Sequence, residues 1–268
     1  MKFDRLTSPI DGDYEIEMTD EAPPQRKRHR AILIGCLAAV YLAMTGTIIY
    51  LAASKFSKAS SMPVILMVGD SITEYAANVN MHGFQASLAH DYIRHADVVN
   101  RGRAGWSTQN WRPKIPALIR EWEARSPILV TIALGTNDAS LPNATGLYVP
   151  PNKYKANLES MVAGLSSAFP STKFLLVTPG VADDDSAMGQ LHRNDRQGTY
   201  AALCKEVGDK MKIPVLDLWT PLQGKQKSVL SDGLHLNQAG NEFVYDQIKN
   251  AIATSYPQLR PSALPERS

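Results

Sequence analysis

The stretch Val64-Ile65-Leu66-Met67-Val68-Gly69-Asp70-Ser71-Ile72-Thr73-Glu74 decides the fold of this chain. Its first five residues are apolar, and three of them are Val or Ile. Such a run reads as a strand buried on both faces, as in a parallel sheet. It stops at Gly-Asp-Ser, where a helical pattern follows. A serine at the carboxyl end of a buried strand, at the mouth of a helix, sits where open α/β sheets place their ligands. Alone the tripeptide proves little, because Asp and Ser are also ordinary helix caps.

Outward from this strand the pattern repeats. Further strands are expected at 97–100, 128–133, 174–178 and 214–218, with helices near 83–95, 108–123, 152–168, 190–212 and 237–254. Strand–helix alternation implies right-handed crossovers and a parallel sheet with helices on both faces. The expected fold is therefore three-layer α/β/α around a mainly five-stranded parallel sheet, over residues 63–255. Residues 256–268, with three prolines, read as a loose tail.

Upstream, residues 1–30 hold six Lys/Arg and seven Asp/Glu with few apolar residues, the composition of a disordered tail. Residues 31–53 then run 23 residues without a charge. At about 1.5 Å per residue such a helix spans roughly 34 Å, enough to cross a hydrocarbon core of about 30 Å. Four Lys/Arg precede the segment directly, against Lys55 and Lys58 after it, so the N-terminus is expected to stay cytoplasmic. This is the pattern of an uncleaved signal-anchor with a lumenal or extracellular domain. Cleavage near Ala52-Ala53-Ser54 and secretion is the alternative. Residues 54–62 read as a linker.

Composition removes several function classes. Outside the tail and the two flanking lysines, 20 basic residues face 19 acidic ones, so no electrostatic case for nucleic acid exists. The two cysteines, Cys36 and Cys204, imply neither a disulfide framework nor a metal cluster. Asp183-Asp184-Asp185 reads as a solvated loop ahead of a helix rather than a cation site. No metal or cofactor is required.

The remaining strand ends carry chemistry. They are Asn100-Arg101-Gly102-Arg103-Ala104-Gly105-Trp106, Gly135-Thr136-Asn137-Asp138 and Asp232-Gly233-Leu234-His235. In a parallel sheet all of them emerge on one edge. They supply a hydroxyl, an imidazole, a carboxylate three residues before it, a carboxamide and glycine N–H groups, the inventory of acyl transfer through a serine. The G-x-S-x-G elbow of the α/β-hydrolases is absent. Trp106 and Trp219 are candidates for an acyl pocket. His29, His82, His90, His95 and His192 lack an Asp-x-x-His context and read as surface or packing histidines.

Gly69-Asp70-Ser71 and these three blocks, in this order, resemble the SGNH hydrolases, also called GDSL esterases and lipases, with Ile72 where the family name has leucine. "NRG…GW", "GTNDAS" and "SDGLHLNQAGNEF" are closest to the isoamyl-acetate-hydrolysing esterase branch. The resemblance implies Ser71 as nucleophile, His235 as general base and Asp232 as its orienting carboxylate. It further implies an oxyanion hole from the Ser71 N–H, the Gly105 N–H and the Asn137 carboxamide, with Gly105 preferred to Gly102. The expected function is a membrane-anchored serine esterase acting on short-chain, lipid or O-acetyl esters. The alternatives are an acyltransferase to a sugar or lipid acceptor, and an idle module binding acylated glycans.

Overall fold

A computed structural model describes residues 25–59 and 62–267 of the chain. It divides into two units, Met1–Ser60 and Ser61–Ser268.

The described residues of the first unit form a helix, α1 (Gln25–Ala59), longer than the apolar run alone. Within it Ile32–Tyr50 is apolar enough to cross a membrane, with a mean hydropathy of 2.2. Thr45 and Thr47 donate their hydroxyls back to the carbonyls of Tyr41 and Ala43, at 2.9 and 2.8 Å, so they add no unsatisfied polar group to that stretch. Residues 25–30 are helical rather than part of a disordered tail, and residues 54–59 continue the helix rather than forming a linker. Flanking Lys and Arg are good helix formers, which carries the helix past its apolar limits at both ends. The expectation of disorder for residues 1–24 lies outside the described residues.

In the second unit β1 (Val64–Gly69) is followed by α2 (Ser71–Tyr75), α3 (Phe84–Asp91) and β2 (Asp97–Gly102). Next come α4 (Thr108–Trp111), α5 (Ile115–Trp122), β3 (Leu129–Ala133), α6 (Pro151–Ala168) and β4 (Lys173–Val177). Then follow α7 (Ala187–His192), α8 (Asn194–Met211), β5 (Val215–Leu216), α9 (Trp219–Leu222), α10 (Gln226–Val229) and α11 (Gln238–Ser255). The five strands form one parallel sheet in the order β2-β1-β3-β4-β5. The chain enters the sheet at the interior strand β1 and reverses direction after β2, so the crevice opens at the carboxyl ends of β1 and β3.

Strand geometry explains why β1 is apolar at every position. Val64, Leu66 and Val68 enter the core packed by α4, α5, α6 and α8, while Ile65 and Met67 enter the opposite core with Phe84, Val244 and Ile248. Two expected helices are each broken in two. Pro113 sits in a 3₁₀ turn between α4 and α5, where its ring and missing N–H interrupt the ladder. Arg193, at φ 50°, separates α7 from α8.

The residues after Tyr256 are not a loose tail. Two Pro-initiated 3₁₀ turns, Pro257–Leu259 and Pro261–Ala263, fold back onto the domain. Leu259 is buried, and its carbonyl accepts a 2.7 Å hydrogen bond from the buried Tyr92 hydroxyl. The Tyr256 hydroxyl donates to the Phe174 carbonyl at 2.7 Å. The prolines that suggested looseness instead fix the φ of each turn.

Candidate active site

β1 ends so that Ser71 becomes the first residue of α2. The Asp70 carboxylate caps that helix by accepting the Ile72 N–H at 2.9 Å. Gly69 admits no side chain, since a Cβ there would collide with Thr73 and stand 2.9 Å from the Ala133 carbonyl. Ser71 is 5% exposed.

The far block arrives as a tight loop before α11. Leu230 and Leu236 form an antiparallel bridge, and the Ser231 N–H donates to the His235 carbonyl at 2.8 Å. Gly233 turns the loop at φ 92°, where a side chain would strike Ser186. Asp232 Oδ1 accepts the N–H groups of Leu234 and His235 at 3.0 and 2.8 Å, and Oδ2 meets His235 Nδ1 at 2.7 Å. Partial burial works against the Asp232 charge, but the ring and main-chain donors outweigh it and hold its pKa below the ordinary value. An ionised Asp232 only accepts, so Nδ1 carries the proton and Nε2 presents its lone pair. That Nε2 lies 3.0 Å from Ser71 Oγ. The Tyr75 ring lies against His235, centroids 5.2 Å apart. The cap of α11 itself is Asn237, which accepts the Gly240 N–H at 3.0 Å.

The two expected glycines differ in kind. A Cβ on Gly102 would fall on the backbone of Glu74, and its N–H donates to Asn100 Oδ1 at 2.8 Å, so Gly102 lets β2 press against α2. Gly105 adopts φ 75° in a loop with open space around its Cα, and its N–H enters none of the loop's main-chain hydrogen bonds. Asn137 is 4% exposed, and its Nδ2 donates to the Trp106 carbonyl at 2.9 Å. One amide hydrogen thus ties the Asn137 loop to the Gly105 loop, leaving the second for another acceptor. Of the two tryptophans, Trp106 lies beside this loop, whereas the Trp219 ring packs over Gly198 in α8.

The sequence reading assigned no role at the site to several residues behind it. Asp138 is fully buried and accepts both the hydroxyl and the N–H of Thr108, clamping the asparagine block to the start of α4. His192 is buried, as the packing alternative of its reading allowed, and with Gln197 Nε2 it donates to the Thr136 carbonyl, at 3.0 and 3.2 Å. Burial lowers the His192 pKa, and the nearby His235 adds to the effect. The peptide leading into Asn137 is thus pinned by two side chains from α7 and α8, 56 and 61 residues away. Asp183 and Asp184 are engaged in capping Asp185 and Asn194, and Asp185 pairs with Lys227.

Asp70 and Asp138 make the site's stability depend on pH. Burial pushes Asp70 up to about 7, with repulsion from Asp138 adding to it and the Ile72 hydrogen bond offsetting only part. Burial likewise raises Asp138 to about 7, against the Thr108 hydrogen bonds. Each holds its proton more tightly folded than unfolded. Their contribution to stability is therefore complete below about pH 4 and is lost as pH rises through 7. Asp70→Asn keeps an acceptor for Ile72 but cannot ionise. The Tm difference between this variant and the wild type should shift in the variant's favour between pH 5 and pH 8, by calorimetry. A difference that stays constant would show that Asp70 folds in its ionised form.

An imidazole set to take a proton from a shielded hydroxyl, beside N–H donors at a helix start, can perform acyl transfer. Comparison with known proteins agrees. Residues 67–243 match the model of the GDSL-like lipase/acylhydrolase family. The isoamyl acetate-hydrolyzing esterase 1 homolog of Homo sapiens is 38% identical, over 74% of this chain and 86% of its own length. A GDSL esterase/lipase of Arabidopsis thaliana is 36% identical, over 70% of this chain and 85% of its own. The crystal structure of the lipase/acylhydrolase from Enterococcus faecalis shares the fold, with a TM-score of 0.57 at 24% identity, over 77% of this chain and 100% of that one. A match over residues 67–243, spanning the serine, glycine, asparagine and Asp-x-x-His blocks, shows that this chain belongs to the GDSL-like lipase/acylhydrolase family and is an SGNH-type esterase.

Proposed function

We propose that Ser71 attacks the carbonyl of a carboxylic ester while His235 Nε2 takes its proton, with Asp232 stabilising the imidazolium that forms. The tetrahedral oxyanion is bound by the Ser71 and Gly105 N–H groups and the second amide hydrogen of Asn137. None of these donors carries net charge, so the pocket remains compatible with a neutral ester before attack. His235 returns the proton to the leaving alkoxide, releasing the alcohol and leaving an acyl-enzyme. It next deprotonates a water that attacks the acyl carbonyl; collapse frees the acid and restores Ser71. The observation carrying this reading is the chain of contacts from Asp232 through His235 to Ser71, at 2.7 and 3.0 Å.

The substrate we propose is a small ester with a short acyl group, of the acetate kind named in the human relative. The test is turnover of p-nitrophenyl esters from acetate to palmitate by the full-length protein in detergent, with and without an acceptor alcohol. Acid release that dominates and declines with chain length supports the reading. Transfer to the alcohol outpacing hydrolysis would make the protein an acyltransferase.

The proposed setting is a signal-anchored type II membrane protein whose catalytic domain faces the lumen or the exterior. Ile32–Tyr50 and the Lys/Arg excess before it support this. Asn143-Ala144-Thr145 is the sole N-x-[ST] sequon in the sequence, and Asn143 lies exposed in a loop. In eukaryotic cells glycosidase should remove the mass of about one glycan, and Asn143→Gln should abolish the shift. An unshifted wild type whose domain is digested by protease from the cytosolic side would reverse the orientation.

A further inference from the structure

Beside the loop that carries Gly105 lies a surface pocket of about 330 Å³, lined by Arg101, Arg103, Lys114 and Glu121 around Trp106 and Trp111. The two rings meet edge-on, centroids 5.1 Å apart. This floor is tied to the serine block: Trp111 Nε1 and the Arg103 N–H both donate to the Gly69 carbonyl, at 2.8 and 3.0 Å. It is also tied to the asparagine block, since the Trp106 carbonyl accepts from Asn137 at 2.9 Å. A group held here is therefore fixed relative to Ser71.

The charges around the pocket do not cancel. Arg101 pairs with Glu121 through Nε, at 3.1 Å, and Nη2, and donates Nη1 to the Asn100 carbonyl at 3.1 Å. The neighbouring acid on α2, Glu74, is engaged by the Ala104 N–H. Arg103 and Lys114 are exposed, and neither has an acidic partner among the described residues. The Arg103 guanidinium carbon stands 4.8 Å from the centroid of the Trp106 ring. Such stacking holds a guanidinium flat while leaving its N–H fork free at the edges, the geometry that grips a carboxylate or phosphate with two parallel hydrogen bonds.

We propose that this pocket is a subsite for an anionic group, a carboxylate or phosphate, carried by the ester beyond its scissile bond, with Arg103 as the fork and Lys114 as a second cation. The assignment rests on Ser71 being the nucleophile, since it orients the substrate relative to that residue. A neutral ester reacts without filling the pocket, and an anionic one gains affinity through it.

The test uses the full-length protein in detergent with two matched ester pairs. For the acyl side these are p-nitrophenyl propionate and the mono-p-nitrophenyl ester of succinate. For the alcohol side they are methyl 4-acetoxybenzoate and 4-acetoxybenzoate. The readout is the ratio of KM for the anionic ester to KM for its neutral partner. In Arg103→Gln this ratio should rise roughly tenfold for at least one pair, the scale of a lost charge-assisted hydrogen bond. It should rise less in Lys114→Gln, and inorganic phosphate should compete with the anionic ester more than with the neutral one. A ratio unmoved for both pairs in both variants overturns the subsite. Because the ratio is internal, it is separable from the nucleophile assignment: neutral-ester turnover that survives Ser71→Ala would sink that assignment instead.

Discussion

Ser71→Ala is expected to lower kcat by about 10⁶-fold, and His235→Ala by a comparable factor. The effects are large because the hydroxyl and the imidazole act as one unit. Without Oγ there is no atom to form the acyl-enzyme, and without Nε2 the hydroxyl keeps its proton at the moment of attack. Oγ and Nε2 are 3.0 Å apart, so removing either leaves the other idle, and the double variant should be little worse than the singles. What remains is the weaker contribution of the oxyanion donors and substrate binding. Both variants should fold, since Ala at position 71 removes a single oxygen from the start of α2 and His235 lies on a loop whose cap is Asn237. The measurement is p-nitrophenyl acetate turnover together with labelling by a fluorophosphonate, which reports the nucleophile directly. Ser71→Ala should abolish labelling. Labelling that persists, or a double variant worse by the product of the two single losses, would mean that the two side chains act independently and that another residue attacks the ester.

How far the sequence announced this site depends on how local each cause is. β1 was legible because burial on both faces demands an unbroken apolar run, and the blocks were legible because acyl transfer needs those residue types at strand ends. Gly105 could be separated from Gly102 only weakly in sequence. In the structure the difference is one of backbone, Gly102 pressed on Glu74 and Gly105 at positive φ. The break within 108–123 carried its own signal in Pro113 and Pro116. The break at Arg193 carried none, because an arginine at φ 50° is held there by its surroundings. His192 was read only as a surface or packing histidine because its partner, the Thr136 carbonyl, lies 56 residues away. The C-terminal residues were misread for the same reason: Tyr92, Phe174 and Arg94 anchor them from distant elements. Nothing in residues 101–114 revealed that Arg103 would stack on Trp106 with no acidic partner among the described residues, since that depends on how the loop folds over Gly69.

Asn137→Ala separates oxyanion binding from nucleophilic attack. The Asn137 carboxamide has two amide hydrogens, and the Trp106 carbonyl takes one at 2.9 Å. That bond fixes the plane of the group, so the second hydrogen needs no reorientation when negative charge develops on the substrate oxygen. Its contribution is thus larger in the transition state than in the ground state. Removing one such donor costs about 2.7–4 kcal/mol, or roughly 10²–10³ in kcat. Asn137→Ala should lower kcat by that factor with KM little changed, and should slow fluorophosphonate labelling of Ser71 in parallel, because phosphonylation also builds charge on an oxygen. The peptide on the Thr136 side of Asn137 stays pinned by His192 and Gln197, and Asp138 stays clamped to Thr108, so the loop should hold its place in the variant. Circular dichroism and an unchanged Tm would show that it does. If the variant instead raises KM while kcat holds, Asn137 binds the ground state and the oxyanion depends on the two N–H groups alone.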